Sequence, residues 1–276
     1  MIRRIFVLII ILVTYGLFFY HQEKSAHQNS PKLPYPLPVG IQKTALGYLR
    51  QLGAELLYIK TAVFLGGREP GLNPKSYSSS LAQHFSIMSA LHPEFVDTYY
   101  LCESSLSSID NESTLLANKI LENGMKALPD NWVLPFFFGF NHLYYLNESG
   151  KASAALYQAS ILPKAPPWLG HLAGVLAAEG GDIYGGLMWL KAMLANEEDE
   201  VLRERYRKDI LTFEQAVSVQ KAISEYQNLY ILPPLTLDDL VPFFLPSLPR
   251  IEGNYVLSWT PPTLRLLRPK SLQMKK

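Results

Sequence analysis

The sequence predicts a mainly α-helical protein, with an N-terminal transmembrane helix, an α-helical solenoid and a small C-terminal module of a helix plus a β-hairpin. Three observations carry that prediction. Residues 5–20 form an apolar or weakly polar run, free of charge, behind Arg3 and Arg4. Pro93, Pro129 and Pro163 close successive helical segments about 35 residues apart, the period of a two-helix repeat. Past Leu232 the helical pattern gives way to proline-rich turns and two short runs of strand-forming residues,.

The first element is residues 1–25. At about 1.5 Å per residue, the run of residues 5–20 reaches across a bilayer core of roughly 30 Å once Met1, Ile2 and the arginine stems extend it. Positive charge on its short leading side keeps that side in the cytoplasm, so residues from His21 onward are expected in the periplasm or exterior, attached to the inner membrane by a single pass. A cleaved signal peptide is the alternative. Phe18, Phe19, Tyr20, His21, Gln22, Glu23 and Lys24 follow where small side chains would mark cleavage, and Ser25 and Ala26 alone are small; this favours an uncleaved anchor.

Composition agrees with a membrane-associated domain. Charged residues make up 18% of the chain, against about 25% in ordinary soluble proteins. A net charge of +1 with no basic stripe gives no footing for nucleic acid,. The single cysteine, Cys102, forms no internal disulfide and reads as a small buried side chain,.

Residues 26–40 are a linker in which Pro31, Pro34, Pro36 and Pro38 impose extended backbone,. The expected helical repeat domain spans residues 41–197. It opens with Ile41, Ala45, Leu49, Leu52, Leu56, Ile59 and Val63, spaced by fours and threes as one face of a continuous helix that Gly66 and Gly67 end,. That helix packs on its own domain or, in the alternative, docks on a membrane surface or partner. Paired helices are then expected over residues 95–109 and 114–128, 132–146 and 152–162, and 168–179 and 183–195. Breaks at Asp110 and Asn111, at Asn147 to Gly150 and at Gly180 and Gly181 supply turn and cap chemistry,. The aromatic block Phe136, Phe137, Phe138, Phe140, Tyr144 and Tyr145 points in so many helical directions that its helix is expected to be the most enclosed,.

Gly139 and Gly174 at a tight helix-packing position, Ala152 and Gly186 early in the following helices, Ala159 later, and the closing Pro129 and Pro163 resemble the tetratricopeptide repeat family over residues 77–196. That resemblance implies a solenoid with a concave groove. Its lining would be Tyr99 and Glu103, then Phe136, Phe140 and Tyr144, then His171, Val175 and Glu179. Such a groove is apolar and mildly acidic and lacks the lysines and asparagines that clamp a terminal carboxylate, so the expected occupant is an apolar or amphipathic segment of a protein partner. The protein's own helix over residues 41–65 is the alternative occupant.

Residues 198–276 form the last expected unit. A long helix over residues 199–227 carries the stripe Leu202, Tyr206, Ile210, Phe213 and Val217,. A turn leads to a short helix capped by Thr236, and residues 255–259 and 263–267 read as a hairpin about Pro261 and Pro262. This succession is similar in arrangement to the C-terminal half of type II secretion pseudopilins.

Catalytic signatures are missing from the sequence. Histidines show no paired spacing for a metal, and no nucleophile elbow, phosphate loop or dinucleotide fingerprint occurs,. Asp238 and Asp239 are adjacent, which on a helix points them about 100° apart and suits a helix start better than acid-base work. The expectation is a membrane-anchored scaffold for protein partners, without cofactor, metal or enzymatic activity. An accessory subunit of a secretion or pilus-like machine is the alternative, and an enzyme with residues gathered from distant helices a lesser one.

Overall fold

A computed structural model describes residues 33–251 and 255–268. The expected membrane anchor, the first half of the proline-rich linker (residues 26–32) and the C-terminal lysines lie outside those residues. No helix among the described residues is long and apolar enough to cross a membrane. The fold is mainly helical with one small antiparallel sheet near the C-terminus. It divides into two compact units whose boundary, between Ile120 and Leu121, falls inside a helix.

In the first unit, α1 (Val39–Leu46) and α2 (Arg50–Gly67) are separated by a single 3-10 turn, Gly47–Leu49. A continuous helix was expected here. Gly47 breaks it with φ +51°, a conformation that costs glycine nothing and other residues about 1–2 kcal/mol. Leu46 then lies over α2 at Gly53, where a β-carbon would collide with its side chain. The next elements are α3 (Ser78–Leu91), α4 (Val96–Leu106) and α5 (Asn111–Ala127). Asp110 starts α5 by accepting the Ser113 amide at 2.9 Å, the capping that its place in the sequence suggests.

The face that α2 turns inward is not its regular apolar stripe. Ala54 and Thr61 are wholly buried and Phe64 nearly so. Ala54 packs with Ile87 and Leu91, and Leu57 closes the same cluster. Phe64 meets Tyr77 edge-on at 5.2 Å, and Tyr58 meets Phe95 in the same way. Leu49, Leu52, Leu56, Ile59 and Val63 are all exposed. The domain is satisfied by α2's second, less regular face because small residues there let α3 approach.

The second unit contains α6 (Val133–Tyr144), α7 (Ser149–Ser160), α8 (Trp168–Glu179), α9 (Ile183–Asn196) and the long α10 (Glu200–Tyr230). Neighbours in sequence pack as neighbours in space. Two of these packings repeat atom for atom. A β-carbon on Gly139 would sit 3.1 Å from the Ala152 carbonyl oxygen and 3.0 Å from Leu156 Cγ, and one on Gly174 would sit 3.2 Å from both the Gly186 carbonyl oxygen and Leu190 Cγ. Gly186 is tighter still, since its β-carbon would stand 2.5 Å from the Gly174 carbonyl oxygen. Ser153 reinforces the α7 and α8 pair by donating to the Ala173 carbonyl at 3.0 Å.

The main core joins Val175, Ala178, Ile183, Leu187 and Leu190 to Tyr206, Ile210, Phe213 and Val217 of α10, and to Leu240, Leu264 and Leu266. It therefore runs across residue 197, where the sequence suggested a boundary. Asp199 caps α10 by accepting the Val201 and Leu202 amides. Thr236 and Asp239 form a capping box on the 3-10 turn Leu237–Leu240,. The hairpin pairs β1 (Val256–Thr260) with β2 (Thr263–Leu267), and β2 alternates so that Leu264 and Leu266 face the core,.

Candidate interaction surface

The eight residues expected to line a groove divide into interior and surface groups. Tyr99 is fully buried, and its hydroxyl donates to the Pro93 carbonyl at 2.6 Å. Burial, reinforced by the neighbouring Cys102, pushes that phenol up to about 12. Tyr99 therefore staples α4 to the turn before it and faces no groove. Cys102 beside it has no exposure, and burial drives its thiol well above the ordinary range, which makes it a packing residue and not a nucleophile,. Glu103, one turn along, is half-buried and accepts from Ser107 Oγ at 2.7 Å.

Val175 is also fully buried, in the main core. His171 is buried because its Nε2–H donates to Asp209 Oδ2 at 2.5 Å while its ring stacks on Tyr206. Asp209 also hydrogen-bonds the Tyr255 hydroxyl, and burial followed by that carboxylate raises the Tyr255 phenol above its ordinary value. One carboxylate thus ties α8, α10 and the residue preceding β1 together. Glu179 is half-buried, with Arg268 Nε 3.6 Å from its carboxylate. The expected groove positions on α8 point inward because α8 has α7 on one side and α9 on the other, with β2 against it as well.

Phe136, Phe140 and Tyr144 fare differently. Phe140 is 37% exposed and Tyr144 60%, and their rings stack at 5.4 Å with an interplanar angle of 9°. Phe136 stands 6.3 Å from Phe140 and edge-on to Trp168 at 6.0 Å. Spacing of four residues puts the three rings on one helix face, where they make a ladder continued by the half-exposed Trp168. The helix with the aromatic block is therefore not the most enclosed one. That place belongs to α8, which buries every residue from Ala173 to Ala178. Small residues allow α8 to be surrounded, whereas the rings of α6 are too bulky to be covered on all sides.

The base of the ladder is fixed by a polar staple. His142 is buried and its Nδ1–H donates to Glu148 Oε2 at 2.6 Å, while the Glu148 amide donates to the His142 carbonyl at 2.7 Å. Lys151 completes the cluster at 3.1 Å, and together Lys151 first and His142 second hold the Glu148 carboxyl below its ordinary range. Because His142 follows Phe140 and precedes Tyr144, the staple holds that last turn of α6 in place. The sequence signal for it was a histidine and a glutamate flanking a turn, which says little without coordinates.

Among the described residues, no three His, Cys, Asp or Glu side chains converge in a way that could hold a metal ion. One open depression of about 630 Å³ lies at the turn from α9 to α10, lined by Glu197, Glu198, Glu200 and Arg203. Arg203 and Arg207 pair with Glu200 there, and Arg207 foremost holds that carboxyl down. A second, of about 310 Å³, lies between Tyr184 and Val217.

No protein-family model matches the chain, and no curated protein is significantly similar to it.

Proposed function

We propose that the protein is a tetratricopeptide-like scaffold, held at the inner membrane by residues 1–25 with its folded part in the periplasm or exterior, that binds an apolar or amphipathic segment of a protein partner through α6. The exposed stacked ladder of Phe140 and Tyr144 is the observation that carries this reading. Aromatic rings already held in place lose little freedom on binding and offer large apolar area, the character of interface anchors. The repeat reading is supported by the matching glycine crossings of α6 with α7 and α8 with α9. Extended helical surfaces suit recognition better than enclosed chemistry, so no cofactor or catalytic step is assigned.

The test is recovery of partners from solubilised membranes with the full-length protein and two variants. Tyr144→Ala removes exposed ring area and should lower partner recovery while leaving the thermal midpoint nearly unchanged. His171→Ala removes an interior partner of Asp209 and should lower stability with recovery intact. Unchanged recovery with Tyr144→Ala, Phe140→Ala and the double variant would move the interface off α6.

A second reading is an accessory structural subunit of a secretion or pilus-like machine. It is favoured by the succession of long helix, short capped turn and terminal hairpin in α10, residues 237–240 and β1–β2. Recovery of a secretion platform in place of other envelope proteins would select it.

A further inference from the structure

We propose that α2 is a self-association helix, pairing in parallel with α2 of a second copy of this chain. Leu49, at the N-cap of α2, and the exposed α2 residues Leu52, Leu56, Ile59 and Val63 are between 49% and 68% accessible. Their spacing of three and four residues is the seam of a coiled coil, narrower than the broad apolar face by which a helix lies on a domain or a bilayer. From Leu49 to Val63 the seam runs about 21 Å. The helix has no need of this stripe for its own fold, because Ala54 and Leu57 on the opposite face pack with Ile87 and Leu91 of α3, and Thr61 and Phe64 on that face are buried as well.

Charge complementarity selects the occupant. Glu55 and Lys60 flank the seam on opposite sides, five residues apart, the relation in which one helix of a parallel pair meets the other across the interface. Both are exposed. Within its own chain Glu55 stands 4.0 Å from His92 Nδ1, beyond a normal hydrogen bond,. A second copy in parallel supplies Lys60 to each Glu55, and by symmetry the pair forms twice. Residues 5–20 of the same chain carry no charge to meet either residue. A bilayer surface would set Glu55 against lipid headgroups. The test in the membrane rests on the anchoring proposed above, whereas the seam and its flanking charges do not depend on what α6 binds.

The experiment is oxidative cross-linking of the full-length protein in its membrane, with single cysteines placed at Leu52, Leu56 and Ile59 and, as controls, at Gln51 and Lys119. Native Cys102 has no exposure and can remain. Seam positions should give disulfide-linked pairs and the controls should not. Glu55→Lys or Lys60→Glu alone should lower cross-linking yield by about 2- to 30-fold, the range expected for losing two exposed pairs, and the double exchange should restore it. Circular dichroism shows whether each variant is folded, and since every substituted seam residue is exposed, folding should persist. Equal yields at seam and control positions would overturn the proposal. So would a monomer whose Leu56→Cys label is quenched by lipid-borne quencher, or one that cross-links to a second cysteine within residues 5–20.

Discussion

Gly186→Ala adds one methyl group where α8 and α9 cross. That β-carbon would stand 2.5 Å from the Gly174 carbonyl oxygen and 2.8 Å from the Phe213 ring. Neither neighbour can step aside cheaply: one is helix backbone, and the other is a fully buried ring in the main core. Overpacking of this kind costs about 1–3 kcal/mol. Alanine's better helix propensity returns about 1 kcal/mol. With backbone as the obstacle the upper part of the range applies, which leaves a net loss of about 2 kcal/mol. Gly150→Ala in α7 is the control, because nothing lies within 4 Å of its added carbon, so its stability should stay level or rise slightly. All four tryptophans, Trp132, Trp168, Trp189 and Trp259, belong to the second unit. Urea unfolding followed by tryptophan fluorescence therefore reports on the affected unit alone. At an m-value of about 2 kcal/mol/M, the midpoint of Gly186→Ala should fall by about 1 M with the slope unchanged. A midpoint equal to or above that of the parent would refute the close crossing.

Further outcomes follow from single residues. His171→Ala leaves Asp209 short of one buried donor and should cost about 1–3 kcal/mol in the same urea assay. Asp110→Ala removes the cap of α5 and should cost about 1 kcal/mol near neutral pH by circular dichroism. Hydrogen bonds from Ser113 first, then Lys75, hold the Asp110 carboxyl below its ordinary value. Its contribution is thus present above the unfolded-state value and is lost as pH falls through the folded-state value. The stability gap between the parent and this variant should therefore be full at pH 6 and close in acid. Cys102 should resist alkylating reagents in the folded protein and react as one thiol equivalent in urea. Ile231→Gly should raise stability by about 0.5–1 kcal/mol, because Ile231 is a β-branched residue at φ +68°, a region it occupies at a cost glycine avoids.

Local periodicity and cap chemistry made most helices readable in sequence. Trp168–Glu179 takes the expected bounds and ends at Gly180, α10 starts at its Asp199 cap, and the hairpin turns about Pro261 and Pro262. What periodicity cannot say is which of two apolar faces a domain will cover. On α2 the regular stripe is exposed while the face containing Ala54 and Thr61 is buried, a choice made by how closely α3 can approach. The same limit affected the groove. His171 and Val175 occupy the spacing of a concave lining, yet their surroundings depend on elements far along the chain, such as α10 with Asp209, while Tyr99 turns to the Pro93 carbonyl just before its own helix. Phe140 and Tyr144 stay exposed because, among the described residues, no distant element covers their rings. Gly47 was legible as a residue type, but its positive φ is a property of the packed chain, set where Leu46 folds over Gly53.

The carboxylate of Asp209 and the side chains of Leu264 and Leu266 complete a core begun by Val175 and Ile183. During synthesis, this means that α8 and α9 leave the ribosome long before the strand that covers them. Their apolar surface must wait for nearly the whole chain to emerge, whereas the cluster of Leu46, Ala54, Leu57, Ile87 and Leu91 in the first unit is complete once α3 has emerged. A vectorial order of folding is thereby built in, early for residues up to 120 and late for the remainder. A stop codon placed before β2 would release a chain whose first unit is complete and whose second is an open, adhesive intermediate, a natural substrate for holding chaperones and quality-control proteases.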